Sequence, residues 1–139
     1  MSDLVVLVAC VKSKRDRPCR ADEMYISDLF QKSMAYARAL KPARIFILSA
    51  KYGLLSLGDV IAPYELTLKT MKAAARKEWA QSVLDALRQK CDLDADRFVF
   101  LAGMPYRKYL EPHLRHHAAP MKGLPFGKQL QWLDRQSHV

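Results

Sequence analysis

The sequence has few of the residues that mark metal-binding, secreted or membrane proteins. Its 139 residues include only three cysteines, and none of them forms a Cys-x-x-Cys pair. That number argues against both a secreted disulfide framework and a zinc site. No apolar run approaches the roughly 18–20 residues that span a membrane, and the first residues lack the basic and apolar segments of a signal peptide. We therefore expect a cytoplasmic protein with no membrane contact, metal or cofactor.

Acidic residues are also scarce. Asp and Glu number 14 against 23 Lys and Arg, which gives a formal charge of +9. Clustered cations favour a polyanionic partner, because each neutralised phosphate releases a condensed counterion. A solvated basic surface that only aids solubility is the alternative. We expect nucleic acid, most readily DNA, with its backbone held by the clustered cations Arg15, Arg17, Arg20, Arg107, Lys108 and Lys128.

The pattern of apolar residues predicts an α/β fold. Strands are predicted at 4–9, 44–49 and 97–102, because residues 4–9, 45–48 and 98–102 are continuous apolar runs of the kind typical of buried parallel strands. Apolar residues at helical spacing predict helices from Ser27 to about Leu40, from Thr67 or Thr70 to about Lys90, and from about Gly127 to Gln136. Residues 117–121 add a short edge strand. Residues 1–139 should form one three-layer domain, with a mainly parallel sheet of about four strands and helices on both faces.

Polar residues follow the predicted strands and form a candidate site. The run 45–48 leads directly into a loop that carries lysine, tyrosine and two carboxylates. Because the carboxyl ends of parallel strands share one edge, the loops 10–25, 49–66 and 103–109 should converge there. The predicted substrate-binding residues are Cys10, Lys12, Lys14, Tyr25, Ser49, Lys51, Tyr52, Gly53, Tyr64 and Tyr106.

Several of these residues have a structural alternative. Cys10, beside two lysines, is either a nucleophile or redox sensor, or a small buried side chain at a strand end. The tyrosines either stack on bases or fill the core. Asp59 and Glu65 could have a catalytic role, in which a carboxylate activates water or stabilises a sugar-like cation. The structural alternative is that each of them caps the following helix or pairs with Lys51. The histidines at 113, 116 and 117 lack a second ligand cluster and do not predict a metal site.

The loop after the second predicted strand also resembles a known family. Residues 48–55, Leu-Ser-Ala-Lys-Tyr-Gly-Leu-Leu, are followed by Asp59, by Pro-Tyr-Glu-Leu at 63–66 and by Met71. This order resembles the Leu-Ser-x-x-Tyr-Gly…Asp…Pro-Tyr-x-Leu-x-Met signature of the YaaA peroxide-stress family. Cys-x-Lys-x-Lys at 10–14, Tyr-x-Ser-x-x-Phe at 25–30 and Gly-Leu-x-x-Gly-x-Gln-Leu at 123–130 resemble motifs of its short bacterial relatives.

The resemblance implies a nucleic-acid-associated function and a fold similar to that of the uracil-DNA glycosylases. The chain is shorter than YaaA and has no Gly-x-Asp-Pro-Tyr motif of those glycosylases. We expect a DNA glycosylase-like enzyme that binds an extruded base and hydrolyses its N-glycosidic bond, with Asp59 or Glu65 as the catalytic carboxylate. The alternatives are a DNA-binding stress protein without catalysis, and an enzyme acting on a free nucleoside or nucleotide.

Overall fold

The computed structural model describes residues 2–137, which fold into alternating strands and helices. The strands are β1 (Leu4–Ala9), β2 (Cys19–Arg20), β3 (Arg44–Ser49), β4 (Gly53–Ser56), β5 (Val60–Ile61), β6 (Arg97–Leu101) and β7 (His116–Ala118). The helices are α1 (Ala21–Met24), α2 (Asp28–Ala39), α3 (Ala73–Arg88), α4 (Met104–Arg107) and α5 (Phe126–Ser137), with short 3-10 helices at Leu68–Thr70 and Glu111–His113. Within the described residues, no helix combines the length and apolar character needed to cross a membrane.

The main sheet is mixed and mostly parallel, with the order β4-β3-β1-β6-β7. Strand β1 lies at its centre, and Val6 is opposite Ile45 on one side and Val99 on the other. Residues 5–8 of β1 are buried, as their unbroken apolar run predicts. The expected α/β class and the mainly parallel sheet are confirmed. The expected number of about four strands is too low, because β4 adds a fifth.

The segment 50–66, predicted to be irregular, contains two strands. Gly53 has φ +73°, a left-handed conformation that suits glycine, and it reverses the chain directly after β3. Strand β4 then runs antiparallel to β3, with Ser49 opposite Gly53. Farther on, β5 pairs with β2 of the basic loop, with Cys19 opposite Ile61. This small second sheet joins the two loops that the sequence places beside each other.

The helices begin and end close to the predicted positions. Helix α2 starts after Ser27, whose hydroxyl accepts a hydrogen bond from the Phe30 amide at 3.1 Å. It packs against α5 through Tyr36 and Trp132, whose rings meet edge to face at 5.0 Å. Helix α3 begins later than predicted, because Thr67 caps a separate 3-10 turn first.

The connections change direction at β1. The chain passes from β1 through α2 to the parallel strand β3 on one side of β1, and from β3, by way of β4 and α3, to the parallel strand β6 on the other side. Because such parallel crossovers are right-handed, these two connections lie on opposite faces of the sheet. In α/β folds, ligands bind outside the carboxyl ends of the strands at such a change of direction. Here that position lies between the ends of β1 and β6.

Candidate functional site

Three buried hydroxyl groups meet at the carboxyl end of β3, and we call them the hydroxyl cluster: Tyr25, Ser49 and Tyr64. The Tyr25 and Tyr64 oxygens are 2.7 Å apart, and Ser49 Oγ donates to the Tyr64 oxygen at 2.7 Å. Ser49 Oγ also accepts a hydrogen bond from the Tyr52 amide at 3.0 Å. Ser49 is 0%, Tyr25 2% and Tyr64 8% exposed. The cluster therefore ties the loop around Tyr64 to the end of β3 and to the segment before α2.

Burial keeps the phenols of this cluster neutral. It raises the pKa of Tyr25 to about 12, and it raises the pKa of Tyr64 further. A neutral phenol donates and accepts hydrogen bonds but is a weak proton acceptor. The cluster can therefore orient polar groups at the strand ends, whereas a general base has to come from another side chain.

A second polar contact crosses the gap between β1 and β6. Cys10 Sγ, half-buried after β1, lies 3.2 Å from the hydroxyl of Tyr106 on α4. Burial first, and then Cys10, raises the pKa of Tyr106. Trp79 of α3 packs edge to face on Tyr106 at 5.6 Å, and its indole N–H donates to the Ser49 carbonyl at 2.8 Å. Trp79 thus connects this contact to the hydroxyl cluster.

Lys14 lies over the hydroxyl cluster. Its Nζ is 4.5 Å from the centre of the Tyr64 ring and 5.8 Å from that of Tyr25. Partial burial lowers the pKa of Lys14, while Cys10 and Glu65 oppose this effect because negative charge favours the ammonium form. The structure therefore brings Cys10, Lys14, Tyr25, Ser49, Tyr64 and Tyr106 together, as the convergence of the loops predicts.

Four of the other predicted cations follow the ends of β1 and β3, and we call them the basic rim. Lys12, Arg15, Arg17 and Lys51 are all exposed, and Lys51 Nζ lies 5.3 Å from the centre of the Tyr52 ring. Tyr52 is 36% exposed and is thus the accessible aromatic ring among the predicted site tyrosines. Arg20 is exposed too, but its guanidinium contacts Asp22 through two hydrogen bonds of 3.1 and 3.2 Å.

The two candidate carboxylates differ in their surroundings. Asp59 lies in the turn between β4 and β5, where its Oδ2 accepts the Ser56 amide hydrogen at 2.9 Å. This bond gives Asp59 a structural role in closing the turn. Glu65 is exposed and follows Tyr64 directly, and its charge acts on Lys14. Of the two, Glu65 is the carboxylate beside the hydroxyl cluster.

Arg107 is predicted to bind phosphate, but the structure places it in the interior. It is only 4% exposed; its Nε donates to the Ala102 carbonyl at 3.0 Å and its Nη1 to Glu111 at 3.2 Å. Its guanidinium holds α4 to the end of β6 and does not face solvent. Lys108, the next residue, is exposed, and Lys128 is exposed on α5.

Sequence reasoning missed two contributors to this site. The helical spacing of apolar residues between 67 and 90 places Trp79 on an apolar helix face, but its indole N–H is also a donor that needs a partner when buried. Thr67 is predicted only as a possible helix start, yet its side chain interacts with the Tyr106 phenol and lowers the pKa of that group. For Trp79, the sequence signal was the indole N–H at a position that is otherwise apolar.

The fold and site together define an α/β domain with a buried hydroxyl cluster at its strand ends and a basic rim beside it. Among the described residues, no group of three or more His, Cys, Asp or Glu side chains is placed to hold a metal ion. The chain belongs to DUF6884, a family of unknown function, whose sequence profile matches residues 5–135. Comparison with the curated proteins and with the solved structures gave no match.

Proposed function

We propose that this protein acts in the cytoplasm on nucleic acid, most readily DNA, and hydrolyses the N-glycosidic bond of an extruded base. One observation carries the proposal: exposed cations and an exposed aromatic ring follow the carboxyl ends of β1 and β3, beside the hydroxyl cluster. The loops that carry Lys12 and Lys51 leave neighbouring strands, since Ala9 is opposite Leu48. Phosphate binding by several such cations is the main sequence-independent source of affinity for DNA.

The contacts assign different tasks to the tyrosines. Tyr52 is accessible and suits stacking on a base, an interaction of roughly 1–3 kcal/mol. Tyr25, Tyr64 and Tyr106 are buried and hydrogen-bonded, so they support the floor of the site. The same proposal includes two further hypotheses: that the motifs which resemble those of the YaaA family reflect a relationship to it, and that the fold is similar to that of the uracil-DNA glycosylases.

Glu65 is the better placed catalytic residue. Asp59 is engaged in its turn, whereas Glu65 has an exposed carboxylate next to Lys14 and the hydroxyl cluster. A carboxylate in this position can orient water for attack on the sugar carbon, a contribution of roughly 10²–10⁴-fold in rate. Glu65→Gln keeps the size of the side chain but removes its charge.

The deciding experiment incubates the protein with DNAs that carry different modified bases and measures released base and abasic sites. We expect release from at least one of them, and a loss of about 100-fold or more in Glu65→Gln but not in Asp59→Asn. Binding without release from any DNA would overturn the enzymatic part and favour the binding protein without catalysis.

Salt dependence tests the phosphate contacts separately. Four bound phosphates predict a slope of roughly −3 to −4 in log affinity against log salt, and Lys12→Gln should reduce its size by about 1. Lys90→Gln is a matched control, because Lys90 is exposed but contacts Ser56 at the far end of the β3–β4 pair. A slope near −1, or equal effects of the two variants, would contradict DNA binding at this rim.

A further inference from the structure

Lys14 differs from the other lysines of the site in its surroundings. Lys12 and Lys51 are exposed, whereas Lys14 is half-buried and is held in place by its backbone. Lys14 forms an isolated antiparallel bridge with Tyr25. On either side of it, the Ser13 carbonyl accepts a hydrogen bond from the Ile26 amide at 3.1 Å, and the Arg15 amide donates to the Met24 carbonyl at 2.9 Å. The Lys14 amine is therefore directed to one place, over the Tyr64 ring.

The contacts of the Lys14 amine leave it open to a ligand. Nζ donates to the Lys12 carbonyl at 3.2 Å. In the described part of the chain, no carboxylate lies within the 4.0 Å of an ion pair with it. An amine with two hydrogens uncommitted and no anionic partner can approach an electrophile. Desolvated lysines are the ones that form Schiff bases with carbonyl substrates, since only the neutral amine attacks.

We infer that Lys14 is an amine nucleophile that forms an imine with the ring-opened aldehyde of an abasic deoxyribose, the sugar that base removal leaves. The inference rests on the proposed function, because that reaction supplies the abasic sugar. The nitrogen lone pair attacks C1′ and forms a C–N bond, and the carbonyl oxygen takes up the proton that nitrogen loses. Loss of this oxygen as water, after a second protonation, leaves the C=N double bond. No oxidant or reductant is needed.

Two neighbours support this assignment. The Tyr64 ring face stabilises the cationic iminium as it stabilises an ammonium ion, at the observed 4.5 Å. Glu65 can accept the C2′ proton of the iminium, so that the C2′–C3′ double bond forms while the 3′ phosphate leaves with the electron pair of its C–O bond. Partial burial, which lowers the pKa of Lys14, increases the neutral fraction of the amine.

The test uses the full chain and a duplex oligonucleotide that contains one preformed abasic site, with cyanoborohydride to reduce the imine to a stable cross-link. We expect a covalent protein–DNA complex on a denaturing gel. Lys14→Arg, which keeps the positive charge but cannot form an imine, should lower its yield at least tenfold. Lys14→Met gives the same test with an apolar side chain, and thermal unfolding confirms that each variant is folded. Lys90→Arg is the matched control, because Lys90 is exposed and contacts Ser56 away from the site, and it should cross-link like the unmodified chain.

The outcomes separate the inference from the function on which it rests. Cross-linking that is lost with Lys14 supports the inference, even if no modified base is released in the glycosylase assay. Base release without cross-linking overturns the inference and leaves the proposed function standing. Equal cross-linking by the unmodified chain and by both Lys14 variants also overturns it, because another amine then reacts.

Discussion

The Ser49 hydroxyl should be the most sensitive polar group of the hydroxyl cluster. Its Oγ donates to the Tyr64 oxygen at 2.7 Å and accepts the Tyr52 amide hydrogen at 3.0 Å, in a site with 0% exposure. Ser49→Ala removes both bonds at once. The Tyr64 phenol loses one partner and keeps Tyr25, while the Tyr52 amide loses its acceptor.

The magnitude follows from these two losses. A hydrogen bond contributes about 0.5–1.5 kcal/mol to stability, and a buried donor without a partner costs about 1–3 kcal/mol. The Tyr52 amide lies beside an exposed ring, so water can replace part of its lost bond. We therefore expect Ser49→Ala to lower the free energy of unfolding by about 2–3 kcal/mol.

Urea unfolding measures this change, and the midpoint should fall by about 1–1.5 M for a slope of about 2 kcal/mol/M. Ser56→Ala is the matched control, because the Ser56 hydroxyl accepts an exposed Lys90 contact and should change stability by less than about 0.5 kcal/mol. If the two variants are equally stable, the hydroxyl cluster does not hold the strand ends together and the reasoning is refuted.

Two further predictions concern buried groups away from the rim. Arg107→Gln should lower the free energy of unfolding by about 2–4 kcal/mol, since Glu111 and the Ala102 carbonyl each lose a hydrogen bond from the guanidinium. It should leave the salt slope of DNA binding unchanged. A changed slope would return Arg107 to the phosphate-binding set. Folding raises the pKa of Tyr25 to about 12, so the protonated phenol stabilises the folded state. This contribution to the free energy of unfolding is fully present below about pH 10 and falls by about 1.4 kcal/mol per pH unit as the pH rises toward about 12. Urea unfolding at about pH 9 and about pH 11 checks this loss, which Tyr25→Phe should reduce.

The central strands were predictable because burial on both faces leaves an unmistakable run of apolar residues. Strands β1 and β3 begin and end at the predicted residues, and β6 differs by one. Strands β4 and β5 were not foreseen, since each is short and their pairing depends on the turn at Gly53 and on contact with the basic loop. Such pairing is set by tertiary context, which local residue preferences do not record.

The candidate site was predictable in its position more than in its contacts. The rule that strand ends share one edge brought Cys10, Lys14 and Ser49 together without any knowledge of side chains. It does not say which groups face solvent. Arg107 follows a strand just as Lys51 does, yet it turns inward to Glu111 because α4 begins immediately after β6.

Because the hydroxyl cluster is buried and the basic rim is exposed, substitutions can test stability and DNA binding separately. The hydroxyl cluster supports the floor of the site through the buried hydrogen bonds among Tyr25, Ser49 and Tyr64, whereas the rim cations lie in solvent and interact through charge. Ser49→Ala should therefore change stability but leave the salt slope intact, and Lys12→Gln should do the reverse. Lys14 contacts both the hydroxyl cluster and the basic rim, because its amine lies over the buried Tyr64 ring and donates to the Lys12 carbonyl. A substitution of Lys14 that alters cross-linking without altering either stability or the salt slope would place it in the chemistry itself.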